Sequence, residues 1–172
     1  MKYTPNIGLW YPKGAHFDLV GFSDSDYAGC KVDRKSTFGG CQFLGRSLVS
    51  WSSKKQNFVA LSTAEAEYIS AGSCCAQLLW MKQTLLDFGV KFDEIILLCD
   101  NESAVKIATN LVQHSRTKHI DICHHFLRDH MNNGDIKIDG IDTDGQLADI
   151  FTKPLDESHF CKLRNELNII DF

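Results

Sequence analysis

The sequence contains no apolar run long enough to cross a membrane and very little proline. A spanning helix needs about 20 mostly apolar residues, and no stretch of this chain provides them. Only 3 of the 172 residues are Pro, while 44% are hydrophobic and 23% are charged, which is typical of a globular domain. The opening residues, MKYTP, are not followed by the apolar segment of a signal peptide. The sequence therefore predicts one globular domain with no membrane partner.

The cysteines do not form the patterns expected of disulfide frameworks or zinc sites. Their number is odd, no CxxC motif occurs, and most lie in apolar segments: Cys30, Cys41, Cys74, Cys75, Cys99, Cys123 and Cys161. Thiols of this kind are typical of reduced proteins. We therefore expect an intracellular protein, in the cytoplasm or the nucleus.

The charge is distributed unevenly along the chain. The net charge is −4, which argues against broad non-specific binding to nucleic acid. Residues 31–55, however, contain a single acid, Asp33, against six basic residues: Lys31, Arg34, Lys35, Arg46, Lys54 and Lys55. The sequence therefore predicts a local basic patch on an acidic protein.

Two acids end the first long apolar strand. In the stretch VGFSDSDYAG, which covers residues 20–29, alternate positions place Val20, Phe22, Asp24 and Asp26 on one face. A carboxylate at the end of a buried strand is costly unless a cation compensates its charge. The alternative is a turn that begins with Asp. Periodicity does not distinguish Asp24 from Asp26.

A third acid interrupts the apolar stripe of a long helix. Residues 62–88 have helical periodicity, and Ser62 can cap the start with Glu65 three residues later. The core-facing stripe is apolar except for Glu67; it consists of Ala64, Glu67, Ala71, Cys74, Leu78, Met81 and Leu85. Glu65 has a capping role, so Glu67 is the functional candidate. The alternative for Glu67 is a carboxylate that reaches water at the edge of the stripe.

Two further acids lie at the edges of apolar elements. Residues 94–99, EIILLC, predict a strand buried on both faces, followed by Asp100 and a short helix over residues 101–110. Open α/β sheets place their chemistry at the carboxyl ends of such strands, although Asp100 or Asn101 can also act as a helix cap. Asp149 lies beside Leu147 and Ile150 in a predicted helical segment, residues 146–152.

These elements predict three antiparallel strands, a helix and a parallel strand beside the first one. If the first and fourth strands are central neighbours, Asp24 and Asp100 lie side by side, and the helix packed over the sheet can bring Glu67 to the same point. Carboxylates at one point repel each other, and their hard oxygen ligands suit Mg²⁺ or Mn²⁺. Two such ions can activate water and stabilise the leaving oxygen of a phosphodiester.

Seven sequence blocks follow one another in the order FSDSDYAG, DRKST, SWSSKKQ, ALSTAEAEYIS, LLCDNESA, HSRTKHIDI and QLADIFTKPL. Together they resemble the ribonuclease H domain at the end of copia-type retrotransposon Pol polyproteins. The resemblance runs from about Gly8 to the C-terminus, and seven blocks in the right order are far more specific than any single block. It implies an RNase H-like α/β fold. The five-stranded mixed sheet would have three antiparallel strands followed by two parallel ones, with helices on both faces.

The resemblance also implies an activity and its residues. The family hydrolyses the RNA strand of RNA–DNA hybrids endonucleolytically with two Mg²⁺ ions, for which Mn²⁺ can substitute. By motif position the catalytic and metal-binding residues are Asp24, Glu67, Asp100 and Asp149, and the choice of Asp24 over Asp26 depends on the resemblance alone. Lys54, Lys55, Arg116 and Lys118 would bind phosphates. Residues 1–16 would be the remnant of the connection to an upstream reverse transcriptase, and residues 17–172 the RNase H-like domain.

The chain departs from the family's pattern at several positions. Many cellular RNases H have a loop His before the last Asp, but residues 141–146 contain none. Phe38 and Cys123 replace residues that are usually small and basic, respectively, in copia-type elements. Such changes resemble drift in a domesticated copy. The alternative function is therefore a catalytically weak or inactive module that binds nucleic acid or a protein partner.

Overall fold

The computed structural model describes residues 6–14, 17–109 and 121–171, with side chains from residue 126 onward in the last range. The strands are β1 (Ile7–Leu9), β2 (Leu19–Asp26), β3 (Thr37–Leu44), β4 (Ser47–Lys55), β5 (Ile95–Cys99), β6 (Lys137–Gly140) and β7 (Ile169–Asp171). The α-helices are α1 (Thr63–Asp87), α2 (Glu102–Thr109), α3 (Asp121–Asn132) and α4 (Glu157–Glu166).

Five strands form one mixed sheet in the order β4-β3-β2-β5-β6. The strands β2, β3 and β4 form an antiparallel meander, while β5 runs parallel to β2 and β6 runs parallel to β5. The turn between β3 and β4 contains Gly45 at φ +60°, a conformation that glycine adopts without a Cβ penalty. The predicted α/β fold class and the mixed sheet are confirmed.

Helices cover one face of this sheet. The stripe of α1 packs on β2, β3 and β5, and α2 and α3 extend the same layer. The core on this side is formed by Leu19, Tyr68, Leu78, Ile95, Leu97, Leu127 and their buried neighbours. Ser62 caps α1 as predicted, because its side chain accepts a hydrogen bond from the Glu65 backbone N–H at 3.1 Å.

A second, smaller core lies on the opposite face. It contains Cys41, Phe43, Leu48, Leu147, Leu163 and Leu167, with Phe22 and Phe43 in edge-to-face contact. The cover on this side consists of α4 and the segment before it. Both faces of the sheet are therefore covered, which agrees with the continuous burial of β3 from Gly39 to Phe43.

The structure differs from the sequence prediction in two places. Residues 146–152 do not form an α-helix; Thr143–Gly145 and Leu147–Phe151 are two 3₁₀ turns. The side chain of Gln146 explains the break, because it accepts a hydrogen bond from Ala148 N–H and donates one to the Ser23 carbonyl. The strand β7 was not predicted, and it pairs antiparallel with β1.

Two further observations concern the helices and the cysteines. In the described ranges, no helix combines the length and apolarity that a bilayer crossing requires. Six cysteines in those ranges are free thiols, of which Cys41, Cys74, Cys75 and Cys99 are buried.

Candidate active site

Asp24 lies near the carboxyl end of β2, and its side chain faces the segment with the two 3₁₀ turns. It lies opposite Gly39 of β3, and only 3% of its surface is exposed. Its Oδ2 accepts a hydrogen bond from the Thr152 hydroxyl, which also lies 3.0 Å from the Asp149 carbonyl. Asp26, two residues later, is half-buried and belongs to neither group of clustered ligand atoms. The structure therefore separates the two acids that periodicity left equivalent.

Asp100 follows β5, which is the parallel neighbour of β2. The adjacent residue, Asn101, caps α2 because its Oδ1 accepts a hydrogen bond from Ala104 N–H at 3.0 Å. The capping alternative considered for these two residues thus applies to Asn101. Asp100 is half-exposed and lies beside Asp24 and Glu67.

Glu67 reaches the same point from the opposite face of the sheet. It lies in the second turn of α1, where the helix passes the carboxyl ends of β2 and β5, and its exposed fraction is 6%. Its Oε1 accepts a hydrogen bond from Ser25 N–H at 3.1 Å, and the Cys99 thiol lies 4.0 Å from Oε2. The alternative of a carboxylate reaching into water is therefore wrong.

The surroundings of Glu67 strongly favour its protonated form. Burial raises the pKa of Glu67 to about 9, and the negative charges of Asp24 and Asp100 contribute to the increase. Burial likewise raises the pKa of Cys99 to about 12, so this residue is a neutral thiol and a hydrogen-bond donor to Glu67. No Lys or Arg among the residues that the structure describes forms an ion pair with Glu67.

Asp149 lies in the second 3₁₀ turn and is almost fully buried, with 1% exposed surface. The ammonium of Lys153 lies 2.8 Å from its Oδ2. Burial nevertheless raises the pKa of Asp149 to about 6, because the ion pair with Lys153 only partly offsets desolvation and repulsion by Asp24. The other oxygen, Oδ1, is buried and has no hydrogen-bond partner among the described residues.

The four acids come from four separate segments and converge at one end of the sheet. Asp24, Asp100 and Asp149 each contribute a carboxylate oxygen to a group whose atoms lie within 4.8 Å of one another. Glu67, Cys99 and Asp100 form a second such group. Asp100 is common to both groups, so the two positions are adjacent.

This arrangement fits a hard divalent cation. Three carboxylate oxygens lie close enough to share one ion, and the buried Asp149 Oδ1 has no hydrogen-bond partner among the described residues. Burial and the neighbouring acids raise the pKa values of Glu67 and Asp149, so a bound cation would favour their charged forms. Oxygen ligands of this type suit Mg²⁺ or Mn²⁺. Asp24, Glu67, Asp100 and Asp149 are the residues that could hold such ions, whereas the neutral Cys99 thiol is a poor ligand for them.

Only part of the predicted phosphate-binding set can be located. Lys54 and Lys55 lie at the exposed end of β4 and line a small cavity with Phe38, Gln56 and Phe58. Lys55 is engaged by its neighbours, because its ammonium lies 3.2 Å from Asp33 and 3.0 Å from the Cys30 sulfur. Arg116 and Lys118 lie outside the described residues.

The sequence analysis missed four residues that support the site. Thr152 and Lys153 contact the acids, and Gln146 fixes the 3₁₀ segment to β2. Gly39 permits the close approach of that segment, since a Cβ there would lie 2.4 Å from Thr152 Cγ2 and 2.9 Å from the Ala148 carbonyl. The four-residue spacing of Asp149 and Lys153 could have indicated their ion pair. The sequence alone gives no indication that Gly39 packs against the 3₁₀ segment.

Relatives of the chain are long polyproteins from plant transposons. It is 38% identical over 167 residues to the retrovirus-related Pol polyprotein from transposon RE1 of Arabidopsis thaliana, covering 96% of this chain and 11% of the polyprotein. It is 38% identical over 146 residues to the corresponding polyprotein from transposon TNT 1-94 of Nicotiana tabacum, covering 84% of this chain and 11% of the polyprotein. The chain therefore spans about a ninth of these relatives. No protein-family model matches it.

Solved structures with a similar fold are RNases H. LC11-RNase H1, isolated from compost, superposes with a TM-score of 0.59 at 14% identity, covering 79% of this chain and 93% of that one. RNase H1 from Halobacterium salinarum superposes with a TM-score of 0.55 at 16% identity, covering 78% and 94%. LC11-RNase H1 has also been solved in complex with an RNA/DNA hybrid, with a TM-score of 0.54 at 14% identity over 78% and 94% of the chains. At these identities the likeness establishes the fold.

Proposed function

We propose that this chain, an RNase H-like domain homologous to one segment of the copia-type Pol polyproteins of plant transposons, is a metal-dependent nuclease that cuts the RNA strand of RNA–DNA hybrids. The observation that carries this proposal is the convergence of Asp24, Glu67, Asp100 and Asp149 from four separate segments. Placing four acids at one point, three of them buried, destabilises a fold unless the site binds cations. A purely structural role does not explain their position at the carboxyl ends of two parallel strands.

The four acids would hold two divalent ions, Mg²⁺ or Mn²⁺. When bound, such ions activate a water molecule and stabilise the leaving oxygen of the phosphodiester. The residues of the chain orient the ligands: Ser25 N–H holds Glu67, and the Thr152 hydroxyl holds Asp24. The apolar cores beneath the site exclude bulk water from its inner side, which strengthens every charge interaction there.

The substrate would be bound through its phosphates and its shape. Lys54 and Lys55 lie on the exposed end of β4, and we propose that they contact phosphates together with Arg116 and Lys118. RNA-containing duplexes are recognised mainly through A-form geometry and 2′-hydroxyls, with little reading of bases. An RNA–DNA hybrid in LC11-RNase H1 supports this choice of ligand.

The family context defines a further part of the proposal. We propose that residues 17–172 form the nuclease domain and that residues 1–16 derive from the connection to a reverse transcriptase in the parent polyprotein. The compartment that we propose for this domain is the cytoplasm or the nucleus.

A cleavage assay with a matched variant tests the function. An RNA–DNA hybrid labelled at the RNA 5′ end is incubated with the protein and Mg²⁺, and separately with Mn²⁺. We expect cleavage of the RNA strand alone, reduced by about 100-fold or more in Asp100→Asn, because this change removes a ligand common to both groups. Asp100 is half-exposed, so the variant should keep the fold, which circular dichroism checks.

Two outcomes would contradict the proposal. Full cleavage by Asp100→Asn would show that the acid cluster is not the catalytic site. A folded wild-type protein that binds the hybrid but gives no product with either ion would support the alternative, a domesticated module that binds nucleic acid or a protein partner without turnover.

A further inference from the structure

Lys153 is the cation that the fold places in contact with the acid cluster. Its ammonium lies 2.8 Å from Asp149 Oδ2, and its backbone N–H donates to the Asp149 carbonyl at 3.3 Å. Among the described residues, no other Lys or Arg forms an ion pair with Asp24, Glu67, Asp100 or Asp149. Within the described ranges, the ion pair of Lys153 with Asp149 is therefore the only one made with this cluster.

The charge of Lys153 is stabilised by several of these acids. Burial disfavours the ammonium, but the hydrogen bond to Asp149 and the charges of Asp24 and Asp100 outweigh it and raise the pKa of Lys153. Its positive charge also acts on Asp26, where it favours the carboxylate and partly offsets the rise in pKa that burial causes. Lys153 thus remains charged and partly neutralises the cluster.

The contact is reversible because of where each partner lies. The Asp149 side chain is 1% exposed, whereas the Lys153 side chain is 39% exposed. The ammonium is on a flexible stem and can move towards water without unfolding the 3₁₀ turn. Asp149, which is buried in that turn, cannot follow it.

We infer that Lys153 is a positioning residue, a built-in counter-ion that holds Asp149 in the metal-free protein and competes with a divalent cation for its carboxylate. This inference rests on the proposed function, because it assumes that the acid cluster binds metal. It adds that binding of the ion displaces the Lys153 ammonium from Asp149 Oδ2 towards solvent. Lys153 therefore weakens metal binding while it stabilises the metal-free site.

Amine labelling of the wild-type protein tests the displacement directly. The protein is acetylated briefly with an N-hydroxysuccinimide ester, with EDTA or with saturating Mg²⁺, and each lysine is quantified by mass spectrometry. We expect the labelling rate of Lys153 to rise by roughly threefold or more with Mg²⁺, because an amine that leaves its ion pair with Asp149 for solvent is more accessible to the reagent. Lys137 is the internal control, since its ammonium lies 2.8 Å from Asp139 outside the acid cluster. An unchanged or lower rate at Lys153 would overturn the inference.

Calorimetric titration with Mg²⁺ in the absence of nucleic acid tests the competition. Lys153→Met should bind Mg²⁺ roughly tenfold more tightly than wild type, because a unit charge beside the binding carboxylate is removed. The metal-free variant should also melt at a lower temperature. Lys153→Arg and Lys137→Met should bind within about threefold of wild type, since the first keeps the charge at the cluster and the second changes an exposed pair. Weaker or equal binding by Lys153→Met would overturn the inference, and if that variant does not fold, the labelling experiment decides.

These readouts separate the inference from the proposed nuclease activity. Neither experiment contains a hybrid, so the competition can be established in a protein that cuts nothing. In the reverse case, the protein cleaves RNA but Lys153 does not respond to Mg²⁺. That result would support the proposed nuclease function and contradict the inference that Lys153 is a counter-ion.

Discussion

Two of the aspartate–lysine pairs among the described residues lie in surroundings that shift the pKa of the aspartate in opposite directions. Asp33 and Lys55 pair at 3.2 Å on the exposed edge of the sheet, while Asp149 and Lys153 pair at 2.8 Å inside the acid cluster. Hydrogen bonds from the Cys30 thiol, the Lys35 N–H and the Lys55 ammonium lower the pKa of Asp33 to about 2. Burial and the neighbouring Asp24 raise the pKa of Asp149 to about 6 despite its closer lysine.

The difference shows that an ion pair does not by itself neutralise a site. At the surface, water solvates both partners and a few added donors suffice to favour the carboxylate. In the cluster, desolvation and like charges exceed what one ammonium can offset. The excess negative charge that remains is what a divalent cation would bind.

The largest expected effect is a difference in cleavage rate between variants of the two aspartate–lysine pairs. Asp149→Asn should lower the rate of hybrid cleavage by about 100-fold or more, because it removes a proposed metal ligand. Asp33→Asn should leave the rate within about threefold, since an exposed charge pair contributes little. Single-turnover cleavage of the labelled hybrid measures both. Equal losses in the two variants would show that the buried pair has no special role.

The second prediction concerns stability against pH in the metal-free protein. The folded-state pKa of Glu67, about 9, lies above its ordinary value of 4.5, so the folded chain holds a proton that the unfolded chain has released. The resulting stability is fully present below about pH 4.5 and is lost as the pH rises towards 9. We expect a fall on the order of 2 kcal/mol or more across this range. Asp149, with its raised pKa, contributes in the same direction between about 4 and 6.

Urea unfolding in EDTA at a series of pH values provides the measurement. Glu67→Gln should flatten the dependence, because the amide mimics the protonated acid at every pH. Asp33 has a depressed pKa, so its contribution is present above about pH 4 and is lost as the pH falls towards 2, outside this window. Stability that stays constant from pH 5 to 9 in wild type would contradict the raised pKa of Glu67.

The third prediction concerns the packing that brings Asp149 to Asp24. Gly39→Ala should destabilise the fold by about 1–3 kcal/mol, because the new Cβ meets Thr152 and the Ala148 backbone. Displacement of the 3₁₀ turn should also lower cleavage. Gly140→Ala is the matched control, since nothing lies within 4 Å of a Cβ there. If both variants melt together with wild type, close packing at Gly39 does not position the site.

Much of the fold was predictable because its elements have strong local signals. The meander follows from alternating strands and the turn at Gly45, and α1 follows from one long stripe and the cap at Ser62. The strands β1 and β7 have three residues each, which is too short for any periodicity to appear. The 3₁₀ turns resembled a helix because apolar spacing over five residues does not distinguish the two.

The site was predictable in its chemistry and less so in its geometry. Glu67 was identified because it interrupts an apolar stripe, a local feature of one helix. The local sequence pattern does not distinguish Asp24 from Asp26. Only the packing of the 3₁₀ segment against β3 places Asp24 in the acid cluster. Asn101 rather than Asp100 caps α2, which depends on one side-chain orientation.

Residue order alone therefore specified the strands, the long helix and the kinds of side chain available for a metal site, because these depend on periods of two and 3.6 residues. The folded chain settled which carboxylates share one point and how strongly they repel. It also placed Lys153 among them and required a glycine at position 39. Most of those properties depend on distances between segments far apart in the chain, such as those of Asp24 and Thr152, which no local pattern encodes.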